Sequence, residues 1–296
     1  MRVLITGGTG SLGSLLVEHF ITRGDQVTIL SRDPHKQAAL LQQYPQVHAI
    51  LGDICDEHAV EHAVRRQEVV VHAAALKRIE RGTTDPEEYI RVNTLGAQQV
   101  LRLAYRAGVQ KCLLISSDKC VDATSLYGIT KRAAEFIYTA YPIGAALRYG
   151  NVMDSQGSVW WAWTDALQAG RLINLRVPDP TRFFLLRKDA VQLVQETLDI
   201  MQGGEIFVPH NLSAVSMESI AQVVVPDRHW LTSPLLPGEK QHEVLVGASE
   251  HVVETIGRLA RVGQGLRTAT TGYCSLDVPR ISGTEAVQLL MQATCS

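Results

Sequence analysis

The sequence predicts an α/β protein, with a doubly wound parallel sheet and a smaller, discontinuous α/β region. Three observations carry this. The first half alternates short apolar runs with amphipathic stretches; a glycine-rich turn joins the first run to the first stretch; and regular alternation stops after Asn151. Strands covered on both faces read as continuous apolar runs, so such runs separated by helices indicate a parallel sheet.

Taken in order, strands are expected at Val3–Ile5, Gln26–Leu30, Val47–Leu51, Val69–His72, Cys112–Ser116 and Ala145–Tyr149. Helical periodicity fits Leu12–Arg23 and Leu95–Ala107, with Gly24 and Gly108 as expected C-caps. Trp160, Trp161 and Trp163 cluster beyond this point and are expected to pack, while prolines at 178 and 180 interrupt the pattern. Glu205–Pro209 reads as one more strand returning to the sheet, Pro226–Gly238 as a loop and Gly283–Ala293 as a closing helix. Residues 1–150 and about 187–211 are therefore expected to form a nucleotide-binding domain, with 151–186 and 212–296 forming a second region.

A chain of 296 residues can bury a sizeable core. Its 46% hydrophobic and 20% charged residues are ordinary globular values. A net charge of −2 gives no electrostatic reason to expect nucleic acid or an acidic membrane as partner. No apolar run approaches the roughly 20 residues that span a bilayer. Met1 to Ile5 enters directly into a strand, so no secretory signal is expected. Cys55, Cys112, Cys120, Cys274 and Cys295 show no metal spacing, which reads as reduced thiols in a cytoplasmic protein without a metal site. Cys120, beside Lys119, reads as a bystander.

The turn Thr6-Gly7-Gly8-Thr9-Gly10-Ser11-Leu12-Gly13 lies between the first strand and the first helix. Glycines at 7, 10 and 13 permit a tight turn and let the backbone approach a pyrophosphate resting on the helix N-terminus, a Rossmann-type arrangement. Thr9, Ser11 and Leu12 belong to the same cradle. The second strand ends Leu30-Ser31-Arg32-Asp33 with Lys36 close behind. A basic strand end accommodates a ribose 2′-phosphate, so the cofactor is expected to be NADP rather than NAD. Asp53 and Ile54 would border the adenine, and Ala73 and Ala74 would lie along the same cleft.

Tyr127 and Lys131 are one helical turn apart and can face the same side. An ammonium beside a phenol lowers its pKa and suits a base that takes a hydroxyl proton during hydride transfer. Upstream, Ser117, Asp118 and Lys119 place a hydroxyl and an acid/base pair after the fifth strand.

These residues resemble the extended short-chain dehydrogenase/reductase superfamily. The segments His72–Lys77, Asn93–Gly96, Ser116–Lys119, Leu126–Lys131, Arg148–Val152, Gly157–Val159, Thr181–Phe183, Gly204–Pro209 and Pro237–Glu243 are similar to one subfamily, the inverting UDP-N-acetylglucosamine 4,6-dehydratases of the pseudaminic acid type. The resemblance implies oxidation at C4 with NADP, Tyr127 and Lys131 taking the hydroxyl proton and Ser117 hydrogen-bonding the same oxygen. Lys119 would then remove the C5 proton and Asp118 protonate the departing C6 hydroxyl, before hydride returns to C6. It also implies a UDP-sugar bound by Lys77, Asn151, Ser158, Val159, Arg182, Glu239 and Lys240, and a homo-oligomer. Three positions depart from the subfamily: Ser117 replaces threonine, Asp154-Ser155-Gln156 replaces Gly-Ser-Arg, and Leu236 replaces an arginine, whose place Arg228 or Lys240 would have to take. Two other readings remain open. A 4-epimerase needs the tyrosine and lysine but no second acid/base pair, and a nucleotide-binding regulatory protein needs neither.

Overall fold

The computed structural model describes residues 1–155, 157–265 and 273–295. Six strands, β1 (Arg2–Thr6), β2 (Gln26–Ser31), β3 (His48–Leu51), β4 (Val69–His72), β5 (Lys111–Ile115) and β6 (Gly144–Leu147), alternate with helices, and all pair in parallel in the order 3-2-1-4-5-6. The apolar runs are buried on both faces: Leu4 and Val70 enter one core, Val3, Ile5, Val69 and Val71 the other. Helices Ser11–Thr22 and Ala97–Arg106 match the expected pair. The second is preceded by a widened π-helical turn, Arg91–Gly96.

After β6 come the short strands β7 (Asn174–Val177) and β8 (Thr181–Phe183), then β9 (Ile206–Pro209), which rejoins the sheet parallel to β6. β10 (Ala214–Ser216) pairs with β8, and β11 (Leu231–Pro234) pairs with β7 inside the segment expected to be a loop. Its sequence, Leu-Thr-Ser-Pro, is mostly exposed and lacks the apolar alternation that marks a strand. β12 (Val244–Val246) is followed by β13 (Glu250–Ile256) and β14 (Leu259–Gln264), and β15 (Tyr273–Cys274) pairs with β12. β14 joins the main sheet antiparallel to β9, and β13 pairs antiparallel with β14 at the sheet edge. Trp160 and Trp163 pack in a third core with Leu175, Ile220 and Leu290, whereas Trp161 is exposed. No helix among the described residues is long and apolar enough to cross a membrane.

Arg148, just past β6, is fully buried and ties the hairpin to the sheet. It donates two hydrogen bonds of 2.8 Å each to Glu135 and to Glu250, and a fifth to the Leu245 carbonyl. Arg132 joins both carboxylates at 3.0 and 2.8 Å.

Candidate active site

The carboxyl ends of β1, β2 and β4 open into a cleft of about 600 Å³ at the point where strand order reverses. It is lined by Gly7, Thr9, Gly10, Ser31, Arg32, Asp33, Lys36, Asp53, Ile54, Ala73 and Ala74. Gly7 has φ +71°, and a Cβ there would lie 2.9 Å from the Ala74 backbone, so only glycine lets the turn come this close. Ser11, Leu12 and Gly13 form the first turn of the helix Ser11–Thr22, whose N-terminus carries no side-chain cap and suits an anion.

Several cleft residues already have protein partners. The Asp33 carboxylate caps the helix Pro34–Gln43 by accepting from the His35 and Lys36 N–H groups. The Ser31 hydroxyl accepts from Gln37 at 2.9 Å. Arg32, half exposed, lies 3.5 Å from Asp53 and 3.7 Å from Glu88. Arg91 pairs with the same two carboxylates. Burial opposes ionisation of Asp53, but the Cys55 N–H, Arg32 and Arg91 together hold its pKa below the usual range. Arg91 and Glu88 were not marked by the sequence, because both lie beyond the strand-end motif.

Ser117, Asp118 and Lys119 begin a 3-10 turn after β5, and Ser117 caps it. The helix Leu126–Thr139, capped by Ser125, packs backbone to backbone on that turn: a Cβ on Gly128 would lie 2.0 Å from the Lys119 carbonyl oxygen. This close approach sets Tyr127 beside Ser117 and Lys119. Burial pushes the Tyr127 phenol up to about 12, opposed by the Ser117 hydroxyl and the Lys119 charge. The Lys119 charge lowers the phenol pKa and the Asp118 charge raises it.

Lys131 is 2% exposed, burial brings its ammonium down to about 8, and that ammonium makes no hydrogen bond among the described residues. It lies near His72, whose Nδ1 is 2.7 Å from the Thr6 hydroxyl and whose Nε2 is buried without a partner among the described residues. A buried ammonium without a hydrogen bond among the described residues, its pKa raised by the Glu135 charge against burial, could hold the hydroxyls of a nucleotide ribose, as the uncapped helix fits its phosphates.

The Lys119 ammonium makes three polar contacts among the described residues. Its Nζ donates to Asn151 Oδ1 at 2.8 Å and to Asp118 Oδ1 at 3.1 Å, and lies 3.0 Å from Glu243 Oε1. The carboxylates hold its pKa above the usual lysine value against the effect of burial. Asp118 and Glu243 are each 1% exposed, and Asp118 Oδ2 and Glu243 Oε2 have no hydrogen-bond partner among the described residues. Burial raises the Asp118 pKa; Lys119, Arg182 and Lys240 outweigh burial at Glu243 and lower its pKa. Sequence reading missed Glu243 as a site residue, although it ends the Pro237–Glu243 motif.

Other expected substrate contacts are divided. Arg182 is buried; it donates to Glu239 at 2.9 Å and to the Thr181 and Gln241 carbonyls. Lys240 donates to the Val121 carbonyl and lies 4.0 Å from Glu243. Asn151 faces Lys119, whereas Lys77 is exposed on the loop after β4. The Ser158 hydroxyl caps the helix Val159–Gln168 and donates to the Met153 carbonyl, and Val159 packs at the third core. Leu236 donates its N–H to Glu239, whose carboxylate also lies 3.9 Å from Arg176, a cation the sequence did not single out. Arg228 is exposed.

Residues 3–261 match the family described as polysaccharide biosynthesis protein. The chain belongs to that family. Among its relatives is the inverting UDP-N-acetylglucosamine 4,6-dehydratase of Campylobacter jejuni subsp. jejuni serotype O:2, 32% identical and aligned over 84% of this chain and 78% of that protein. The UDP-glucose 4-epimerase of Rickettsia conorii is 30% identical over 84% and 78% of the respective chains. In fold, the family member matches DesIV, a dTDP-glucose 4,6-dehydratase from Streptomyces venezuelae solved with NAD and TYD bound, with a TM-score of 0.74 at 17% identity, covering 100% of this chain and 97% of that one.

Proposed function

We propose that this sugar-nucleotide 4,6-dehydratase of the extended short-chain dehydrogenase/reductase superfamily acts on a UDP-N-acetylhexosamine, foremost UDP-N-acetylglucosamine, with NADP and with inversion at C5. One observation carries the reading: an acid/base set, the buried Asp118 and the 17%-exposed Lys119, stands beside the Ser117 and Tyr127 hydroxyls, where oxidation at C4 alone has no use for it. The dehydratase relative from Campylobacter jejuni supports the same substrate class.

The bound nicotinamide would supply hydride exchange, out of C4 and back to C6. Tyr127 takes the C4 hydroxyl proton while Ser117 hydrogen-bonds that oxygen. The C4 ketone acidifies the C5 proton, which Lys119 removes. Asp118, whose burial favours its protonated form, gives its proton to the C6 hydroxyl as it leaves. Lys77, Asn151, Ser158, Val159, Arg182, Glu239 and Lys240 are assigned to the sugar nucleotide, and the protein acts in the cytoplasm as a homo-oligomer.

The Rickettsia relative favours a second reading, 4-epimerisation, which leaves Asp118 and Lys119 without a task. Incubation with UDP-N-acetylglucosamine, followed by mass spectrometry and proton NMR, separates the two. Loss of one water with a new C6 methyl signal supports dehydration; isomerisation without mass change means an epimerase; no turnover with any UDP-sugar means a binding protein.

Arg32→Ala tests the cofactor. It removes a charge-assisted contact available only to a 2′-phosphate, so NADP binding weakens about tenfold or more while NAD binding is unchanged, as read by titration calorimetry. Equal weakening of both cofactors contradicts the assignment.

A further inference from the structure

We infer that Glu243 is the fixed counter-ion of Lys119: it holds the amine in place and stabilises the ammonium that forms when Lys119 takes the C5 proton. The C5 step rests on the dehydratase reading above; the counter-ion role does not.

The Lys119 ammonium donates to Asn151 and Asp118 at 2.8 and 3.1 Å and pairs with the Glu243 carboxylate at 3.0 Å. In this state it carries no lone pair and removes no proton. One proton must first leave it, and the three acceptors differ in their capacity to receive one. The Asn151 amide oxygen cannot store it. Glu243 is surrounded by cations: Lys119 at 3.0 Å, Lys240 at 4.0 Å and the charge of Arg182, and its backbone N–H is fixed by the Ser275 hydroxyl at 2.9 Å. Asp118 faces the Ser117 hydroxyl at 3.0 Å and Lys119, with no second cation in contact among the described residues. Tyr127 is the remaining titratable group facing Lys119.

The proton therefore passes from Lys119 to Asp118. One N–H bond breaks and one O–H bond forms, which places a neutral amine and a carboxylic acid side by side. With the 4-keto sugar present, the amine takes the C5 proton, and the C5–H electron pair becomes the C5=C6 double bond. The C6–O bond breaks, and its oxygen leaves as water with the Asp118 proton. Lys119 is again an ammonium and Asp118 a carboxylate, while Glu243 stays ionised throughout. Glu243 thus orients and charge-stabilises a base it never protonates, the part a carboxylate plays behind a histidine base. It is a positioning residue, and its second oxygen, buried without a hydrogen bond among the described residues, faces Lys240 at 4.0 Å.

The test titrates Lys119 directly, by carbon NMR of protein labelled in the lysine side chain, with Lys119→Ala assigning the signal. Wild type is expected to titrate above an ordinary lysine, and Glu243→Gln to lower the midpoint by at least about one pH unit, a tenfold change in the ionisation constant. Glu243→Asp should restore part of the shift. An unmoved midpoint in Glu243→Gln overturns the inference. With UDP-N-acetylglucosamine, Glu243→Gln should still reduce the nicotinamide, lose at least about tenfold in kcat for water loss and keep its KM. Equal losses in oxidation and water loss, with a lowered Tm, mean a merely structural role and overturn it. If wild type releases no water, the dehydratase reading falls, and the titration alone still decides whether Glu243 is the counter-ion.

Discussion

Lys119→Ala is expected to lower water loss by about 10³-fold while oxidation at C4 continues, so that reduced nicotinamide accumulates with substrate. The size follows from the task. The other amine of this cluster, Lys240, donates to the Val121 carbonyl, and both neighbouring carboxylates serve other ends: Asp118 as acid, Glu243 as counter-ion. Stopped-flow absorbance of the nicotinamide, with mass spectrometry of the sugar nucleotide, checks it. Dehydration at the wild-type rate would remove Lys119 from the role of base. The substitution also leaves two buried carboxylates 1% exposed without their shared cation. Melting of the variant, measured alongside, separates that cost from the chemistry.

Arg148→Ala is expected to destabilise the fold by about 3–5 kcal/mol, the cost of leaving buried partners uncompensated. Here two carboxylates, Glu135 and Glu250, lose four hydrogen bonds at once. Urea melts at neutral pH read the loss, and a change under about 1 kcal/mol, the worth of an exposed pair, would contradict the network's importance. The same network sets an acid limit. Burial alone would raise both carboxyl groups, but Arg148 holds Glu135 below its usual value and Glu250 down to about 2. A depressed folded pKa gives stability that is present above the unfolded carboxylate value of about 4.3 and lost as pH falls through the folded value. Wild type should therefore lose stability between about pH 4.5 and 2, and Arg148→Ala should show a shallower slope there.

The parallel half of the fold was legible because burial on both faces writes itself into sequence as uninterrupted apolar runs such as Val69-Val70-Val71. The hairpin β13–β14 was not. Six of the seven β13 residues are exposed, so no apolar run marks that strand, and its attachment depends on Glu250 meeting Arg148 across 102 residues. The site divides in the same way. Gly7, Ser31, Tyr127 and Lys131 are read from local spacing, because a turn or one helical repeat positions them. Glu243 joins Lys119 only through tertiary folding, 124 positions away, and no spacing rule reports that. Arg182 is likewise placed by tertiary folding: its guanidinium donates to Glu239 and to two carbonyls, partners that the motif around it does not report. Ser158 is used as a helix cap.

The order of events, oxidation at C4 and then elimination across C5 and C6, is tested most directly by following the hydrogen on C4. UDP-N-acetylglucosamine carrying deuterium at C4 is incubated with the protein and NADP, and the product is read by proton and deuterium NMR. The account predicts deuterium in a new C6 methyl group and one solvent-derived hydrogen at C5. Deuterium found still at C4 of a sugar with its C6 hydroxyl intact would contradict it.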